Sequence, residues 1–194
     1  MIPLSPVRTV APAINPVSLA EAQAHLRVTI GIEETLIAGL IDAAVSKLDG
    51  WSGILGRCLV TQTWRQDFSE FPAYDYLRLP FPDVQSVTID YTDSAGVTQT
   101  LSSAGYQLAN DYAGGVLALI DGNSWPSTQQ RVNAVRVTMV VGYGGASAVP
   151  AALKSAILLD IGTLYENRES VTTGLSELPL AYDMLVMPFR RVSL

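Results

Sequence analysis

One cysteine, one histidine and few charges mark this sequence before any motif does. A lone Cys58 excludes a disulfide framework. With His25 as the only histidine, the side chains cannot supply a zinc set. Only 15% of the 194 residues are charged, against a soluble average of about 25%. Twelve bases against eighteen acids give a net charge of −6, the wrong sign for a free duplex-DNA binder. No stretch reaches the ~18 uninterrupted apolar residues of a membrane-spanning helix. The longest candidate, Ala148 to Leu164, is broken by Pro150, Lys154 and Asp160. Met1 to Arg8 carries two early prolines and lacks the apolar core of a signal peptide. What is present is 48% hydrophobic residues, too many for disorder. Such a chain has a large core or turns apolar surface toward other subunits.

Residues 1–17 are punctuated by Pro3, Pro6, Pro12 and Pro16, which predicts an extended rather than helical tail. Ser18-Leu-Ala-Glu21 is a capping box, predicting a short helix to Leu26 or Arg27. Beyond Gly31, Glu33 and Glu34 suit the first turn of a second helix. Its apolar stripe is Leu36, Ile37, Leu40, Ile41, Ala44, Val45 and Leu48, ending at Gly50 and Gly53. From Leu59 the period changes to two. Strands are predicted at Val60–Phe68, Tyr76–Leu79, Val84–Thr92, Val97–Leu101, Tyr106–Asn110, Val116–Ile120 and within 133–142. Asp93-Ser-Ala-Gly96 supplies a hairpin turn. Val149 to Asn167 then reads as a helix apolar almost all round, which needs covering on several sides. A last short helix runs from Leu180 to Met187. The fold class is α+β: a small bundle of about four helices with an inserted antiparallel β-sandwich or barrel-like subdomain. The predicted divisions are an extended tail at 1–17, a helical core at 18–58 and 146–187, a β-rich insertion at 59–145, and a tail at 188–194.

Catalytic chemistry is thin. His25 beside Leu26 reads as a surface or packing residue, and no Gly-x-Ser-x-Gly elbow accompanies it. Gly142-Tyr-Gly-Gly145 lacks the spacing of a phosphate loop and reads as a turn. The carboxylate pairs Asp90 with Asp93 and Asp67 with Glu70 read as turn and strand-end decoration. No catalytic, cofactor-binding or metal residue is assigned, and no cofactor is expected. The interface candidates are at the helical end: Tyr165, Glu166, Asn167, Arg168 and Glu169 close the apolar helix, and Tyr165 can face Glu169 at i, i+4. Phe189, Arg190 and Arg191 form a basic-aromatic tail of the kind favoured at interfaces. An alternative reading is a carbohydrate- or receptor-binding sandwich module of a phage-like particle, with Trp64, Tyr74, Tyr76 or Trp125 as a stacking platform.

Several segments match one further pattern. They are Ser18–Arg27, Leu36–Ala44, Leu79-Pro-Phe-Pro82 with Val84–Val87, and Ile89–Asp93 with Gly96. Next come Trp125-Pro126, Val135–Thr138 with Gly142-Tyr143, and Val149–Lys154. Leu164–Glu169, Leu178-Pro179 and Pro188–Arg191 complete the set. In order and spacing they resemble the phage head–tail connector (adaptor) family, the larger type with a β-rich insertion. Gly50-Trp-Ser-Gly53 departs from the more acidic helix end common there. The resemblance implies a non-enzymatic ring subunit, usually one of twelve, beneath the portal protein. Such a ring extends the DNA channel and carries the stopper and tail. DNA only passes through, and no membrane is involved. The implied setting is the neck of a phage, prophage or gene transfer agent particle made in bacterial cytoplasm.

Overall fold

In the computed structural model the Ser18 hydroxyl accepts the Glu21 amide at 3.2 Å, while the Glu21 carboxylate accepts the Ser18 amide at 2.7 Å. This reciprocal box opens α1, Leu19–Leu26. The structure describes residues 1–29, 31–167 and 180–191. Helix α2 spans Glu34–Leu48. Glu33 stands one residue outside it, in left-handed backbone at φ 55°, rather than inside its first turn. Ile37, Ile41, Ala44, Val45 and Leu48 are buried, but Leu36 is exposed, so the stripe is narrower than its sequence pattern. Beyond the helix the chain folds back so closely that a Cβ on Gly53 would lie 2.3 Å from the Leu48 carbonyl oxygen. Glycine alone fits there.

Helix α3, Ala151–Glu166, starts two residues later than its apolar pattern, because a 3-10 turn at Ala146–Ala148 ends at Val149 and Pro150 caps the helix. Helix α4 is Leu180–Val186. Leu153, Ala156, Ile157 and Ile161 of α3 join the α2 stripe, Tyr182 and Val186 in one buried cluster. Each such large side chain contributes roughly 1.5–3 kcal/mol by leaving water.

Among the described residues the strands form two antiparallel sheets, which with four helices make the fold α+β. The five-stranded sheet joins β1 (Val7–Val10), β2 (Gln62–Phe68), β4 (Val84–Thr92), β5 (Thr98–Thr100) and β8 (Val135–Val141), in the order β1-β2-β8-β4-β5. The smaller joins β3 (Tyr76–Arg78), β6 (Tyr106–Asn110) and β7 (Gly115–Leu119), in the order β3-β7-β6. Alternation in β8 decides the inward face: Val135, Val137, Met139 and Val141 are fully buried. In β4 the apolar residues Val84 and Val87 are three apart, yet they lie opposite Val141 and Met139. A bulge between Val84 and Ser86 absorbs the extra residue. The Gln85 side chain, set free there, donates to Thr61 Oγ1 at 3.0 Å and to the Gly142 carbonyl at 2.8 Å. Asn110 ties the smaller sheet to the larger, accepting from the Val84 amide and donating to its carbonyl, each at 3.0 Å. The proline-punctuated tail docks on its own chain: Val7, Arg8 and Val10 pair with Arg65, Trp64 and Thr63.

The chain divides into two compact units. One comprises Met1–Pro12, Thr61–Gly142 and Arg191–Leu194, and holds both sheets. The other comprises Ala13–Val60 and Tyr143–Arg190, and holds α1 to α4. The chain therefore passes between the units four times.

Candidate functional site

In the helical unit, a charged group lies inside the apolar cluster. Asp160 of α3 is 4% exposed. Lys47 of α2 brings its Nζ to 3.1 and 3.3 Å from the two Asp160 carboxylate oxygens. The same ammonium lies 4.7 Å from the centroid of the Tyr182 ring in α4. A cation between a carboxylate and an aromatic face ties three helices together. The Tyr182 hydroxyl is buried without a hydrogen-bond partner. Burial first, then the negative charges of Asp160 and Asp183, push its pKa up to about 12. The arrangement holds α2, α3 and α4 together.

The expected interface residues fall on two anchors. At the end of α3, the Tyr165 hydroxyl donates to Glu33 Oε2 at 2.5 Å, a partner 132 residues away in sequence. Asn167 closes the helix, its amide and side chain both donating to the Thr163 carbonyl, at 3.1 and 2.8 Å. Glu166 is exposed. Arg168 and Glu169 lie outside the described residues, as does the Tyr165–Glu169 contact. In the tail, Phe189 is half-buried against the helical cluster and Arg190 is exposed. Arg191, in the sheet unit, donates to the Pro80 carbonyl, and burial pulls its pKa below the usual arginine value.

An apolar face that the sequence reading passed over lies on α4 and the residue after it. Leu180, Met184 and Met187 are 77%, 68% and 70% exposed. Their i, i+4, i+7 spacing puts them on one stripe, while Tyr182 and Val186 face inward. A seven-residue helix apolar on both sides has the pattern of an element covered twice. In the sequence the two stripes interleave and read as one apolar run.

Elsewhere the acids are occupied separately. Asp67 accepts from Arg136 at 3.3 Å, and Glu70 holds the N-terminal ammonium at 2.5 Å. Asp90 accepts from the Thr100 hydroxyl at 2.6 Å. Asp93 folds its own turn, with the Val97 amide the largest cause of a lowered pKa and the Gln99 side chain the next. Neither carboxylate pair converges on a common point. Cys58 is fully buried and His25 exposed. Among the described residues, no three His, Cys, Asp or Glu side chains are placed to hold a metal, and no helix is long and apolar enough to cross a membrane. Of the expected stacking residues, Tyr74, Tyr76 and Trp125 come together. Trp64 does not: it is buried, tilted 4.9 Å from Phe81, with Nε1 donating to Gln62. A platform role for Trp64 is thereby corrected.

No family model and no curated protein matches this chain. Solved structures do match in fold. A chain in the neck of an empty GTA particle, computed with C6 symmetry, superposes with a TM-score of 0.80 at 21% identity. A chain of the virion of a native gene transfer agent (GTA) particle gives 0.79 at 23%. One from the neck of the native particle, computed with C12 symmetry, gives 0.77 at 21%. Each match covers 98% of this chain and 97% of the other.

Proposed function

We propose that this chain is a structural, non-enzymatic subunit of a particle neck: a head–tail connector (adaptor) that forms a ring of twelve beneath the portal protein. In this reading the ring extends the DNA channel and joins the head to the stopper and tail. The particle is a phage, a prophage product or a gene transfer agent, assembled in a bacterial cytoplasm. The observation that carries the reading is near-complete fold coverage by chains of necks computed with C6 and C12 symmetry. Surface chemistry supports it. The doubly apolar α4 presents Leu180, Met184 and Met187 as faces for neighbouring subunits. A net charge of −6 suits a wall past which DNA slides, because each phosphate contact would add binding that must be broken. Tyr165–Glu169 and Phe189–Arg191 remain the proposed subunit and portal contacts.

The test is the mass of the assembled species, by native mass measurement and electron microscopy, with and without the portal protein. Rings on the portal, or in free solution, are expected. A monomer that joins neither portal nor tail components would remove the reading.

A further inference from the structure

Strand β3 is one edge of the three-stranded sheet. The Leu79 amide donates to the Gly115 carbonyl at 2.8 Å, and the Leu119 amide to the Asp75 carbonyl at 2.7 Å. With Leu77 opposite Leu117, the antiparallel pattern turns the main-chain groups of residues 75, 77 and 79 toward β7. The N–H and C=O of Tyr76 and Arg78 therefore point away from the sheet. The side chains of Tyr76 and Arg78 share one face by strand alternation, opposite buried Leu77, and Tyr74, just before the strand, stacks its ring on Tyr76.

That face is built before anything binds it. The Tyr74 and Tyr76 rings stack at 5.7 Å between centroids and 19° between planes. They remain 68% and 47% exposed. Trp125 fixes their base by donating from Nε1 to the Tyr74 carbonyl at 2.7 Å, and itself stacks on Phe71 at 4.9 Å. Arg78 is engaged by Asp111 at 2.7 Å, its charge offset. Asp75 stands between the two tyrosines in sequence and Asp121 two residues past the Leu119 contact, with Arg191 on the Pro80 carbonyl as the cation nearest the other end of the strand.

We infer that β3 accepts an extended, basic segment of a different protein as an added strand, with its arginine or lysine side chains over the Tyr74–Tyr76 stack. Main-chain pairing to Tyr76 and Arg78 supplies register, and cation–π contact supplies selectivity. Charge complementarity favours this occupant over a second copy, since the chain is itself acidic. The inference holds whether or not the chain forms a ring.

The probe is a seven-residue capped peptide alternating valine and arginine, with a valine–glutamate peptide and cellohexaose as comparisons. Binding is read by amide exchange, residue by residue, and by Trp125 fluorescence. The arginine peptide should slow exchange at Tyr76 and Arg78 about tenfold or more, and the glutamate peptide should not. Tyr74→Ala and Tyr76→Ala should each weaken binding about fivefold. Arg78→Pro removes an outward amide but no bond to β7, and should abolish binding, whereas Arg78→Ala should keep it. Should Arg78→Pro disturb the β7 amides, exchange at Tyr76 and Arg78 in the natural chain decides. Equal binding of both peptides, binding without protection of these two amides, or response to cellohexaose alone would overturn the inference.

Discussion

Replacing Lys47 should hurt far more than neutralising its partner. The two Asp160 oxygens are 3.1 and 3.3 Å from Lys47 Nζ. Asp160 has a 6% exposed side chain, while that of Lys47 is 36% exposed. At an effective dielectric constant of about 20, such a separation gives an attraction of roughly 5 kcal/mol before desolvation. Lys47→Met keeps the apolar stem but strands a carboxylate in the core. Loss of one partner of a buried pair costs about 3–5 kcal/mol, and the exposure of the lysine end brings the expectation down to about 2–3. Asp160→Asn leaves a polar amide inside and a lysine that can turn to water, at a cost of about 1 kcal/mol. The double variant Lys47→Met with Asp160→Leu should recover most of the loss, since no buried charge remains. Urea unfolding followed by circular dichroism of the helical signal measures all three. An Asp160→Asn cost equal to or above that of Lys47→Met would refute the reasoning, because the buried member would then not be the one that needs its partner.

Tyr182 carries a second test. Its raised pKa favours the neutral phenol in the folded chain, so the associated stability is whole below about pH 10 and drains as pH rises toward about 12. Tyr182→Phe should flatten that alkaline loss, on the order of 2 kcal/mol, and cost little at neutral pH because the hydroxyl has no partner. Gly53→Ala should destabilise by about 2 kcal/mol or more in the same urea assay, since its Cβ would meet the Leu48 and Asp49 carbonyl oxygens at 2.3 and 2.5 Å. Leu180→Glu with Met184→Glu should leave the thermal melt within about 1 kcal/mol of the natural chain yet abolish rings by electron microscopy. Unchanged rings would separate the α4 face from assembly. Deleting residues 188–194 should give heads that package DNA without holding tails, and normal infectious particles would refute portal docking by that segment.

Local signals made much of the fold legible. Ser18 and Glu21 stand three apart and cap each other, and the two-residue period of Val135–Val141 announces a half-buried strand. What distance in sequence conceals was not legible. Tyr165 meets Glu33 and Lys47 meets Asp160 across more than a hundred residues, and no spacing rule joins them. Two sheets could not be told from one, because Pro80 and Pro82 look alike as a turn and as a change of sheet. Prolines mark the tail as extended, but its pairing with β2 was not readable, because pairing with Thr63–Arg65 leaves no local mark. Within the site, Phe189 read as a partner's anchor, yet its own helical core half-covers it. The second stripe of α4 was hidden because Leu180, Met184 and Met187 interleave with Tyr182 and Val186, making an ordinary apolar run.

The four passages of the chain between units also set a timetable. Helix α2 ends at Leu48, but the α3 residues that cover it are complete only at Glu166. At about 5–20 residues per second, the nascent first half of the helical unit waits roughly 10 s for its other half. Most of the sheet unit, Thr61–Gly142, emerges during that interval and can pair its strands first. Early arrest of translation would therefore release a chain with paired strands and bare α2 valine and isoleucine, a natural client for a chaperone at the ribosome exit.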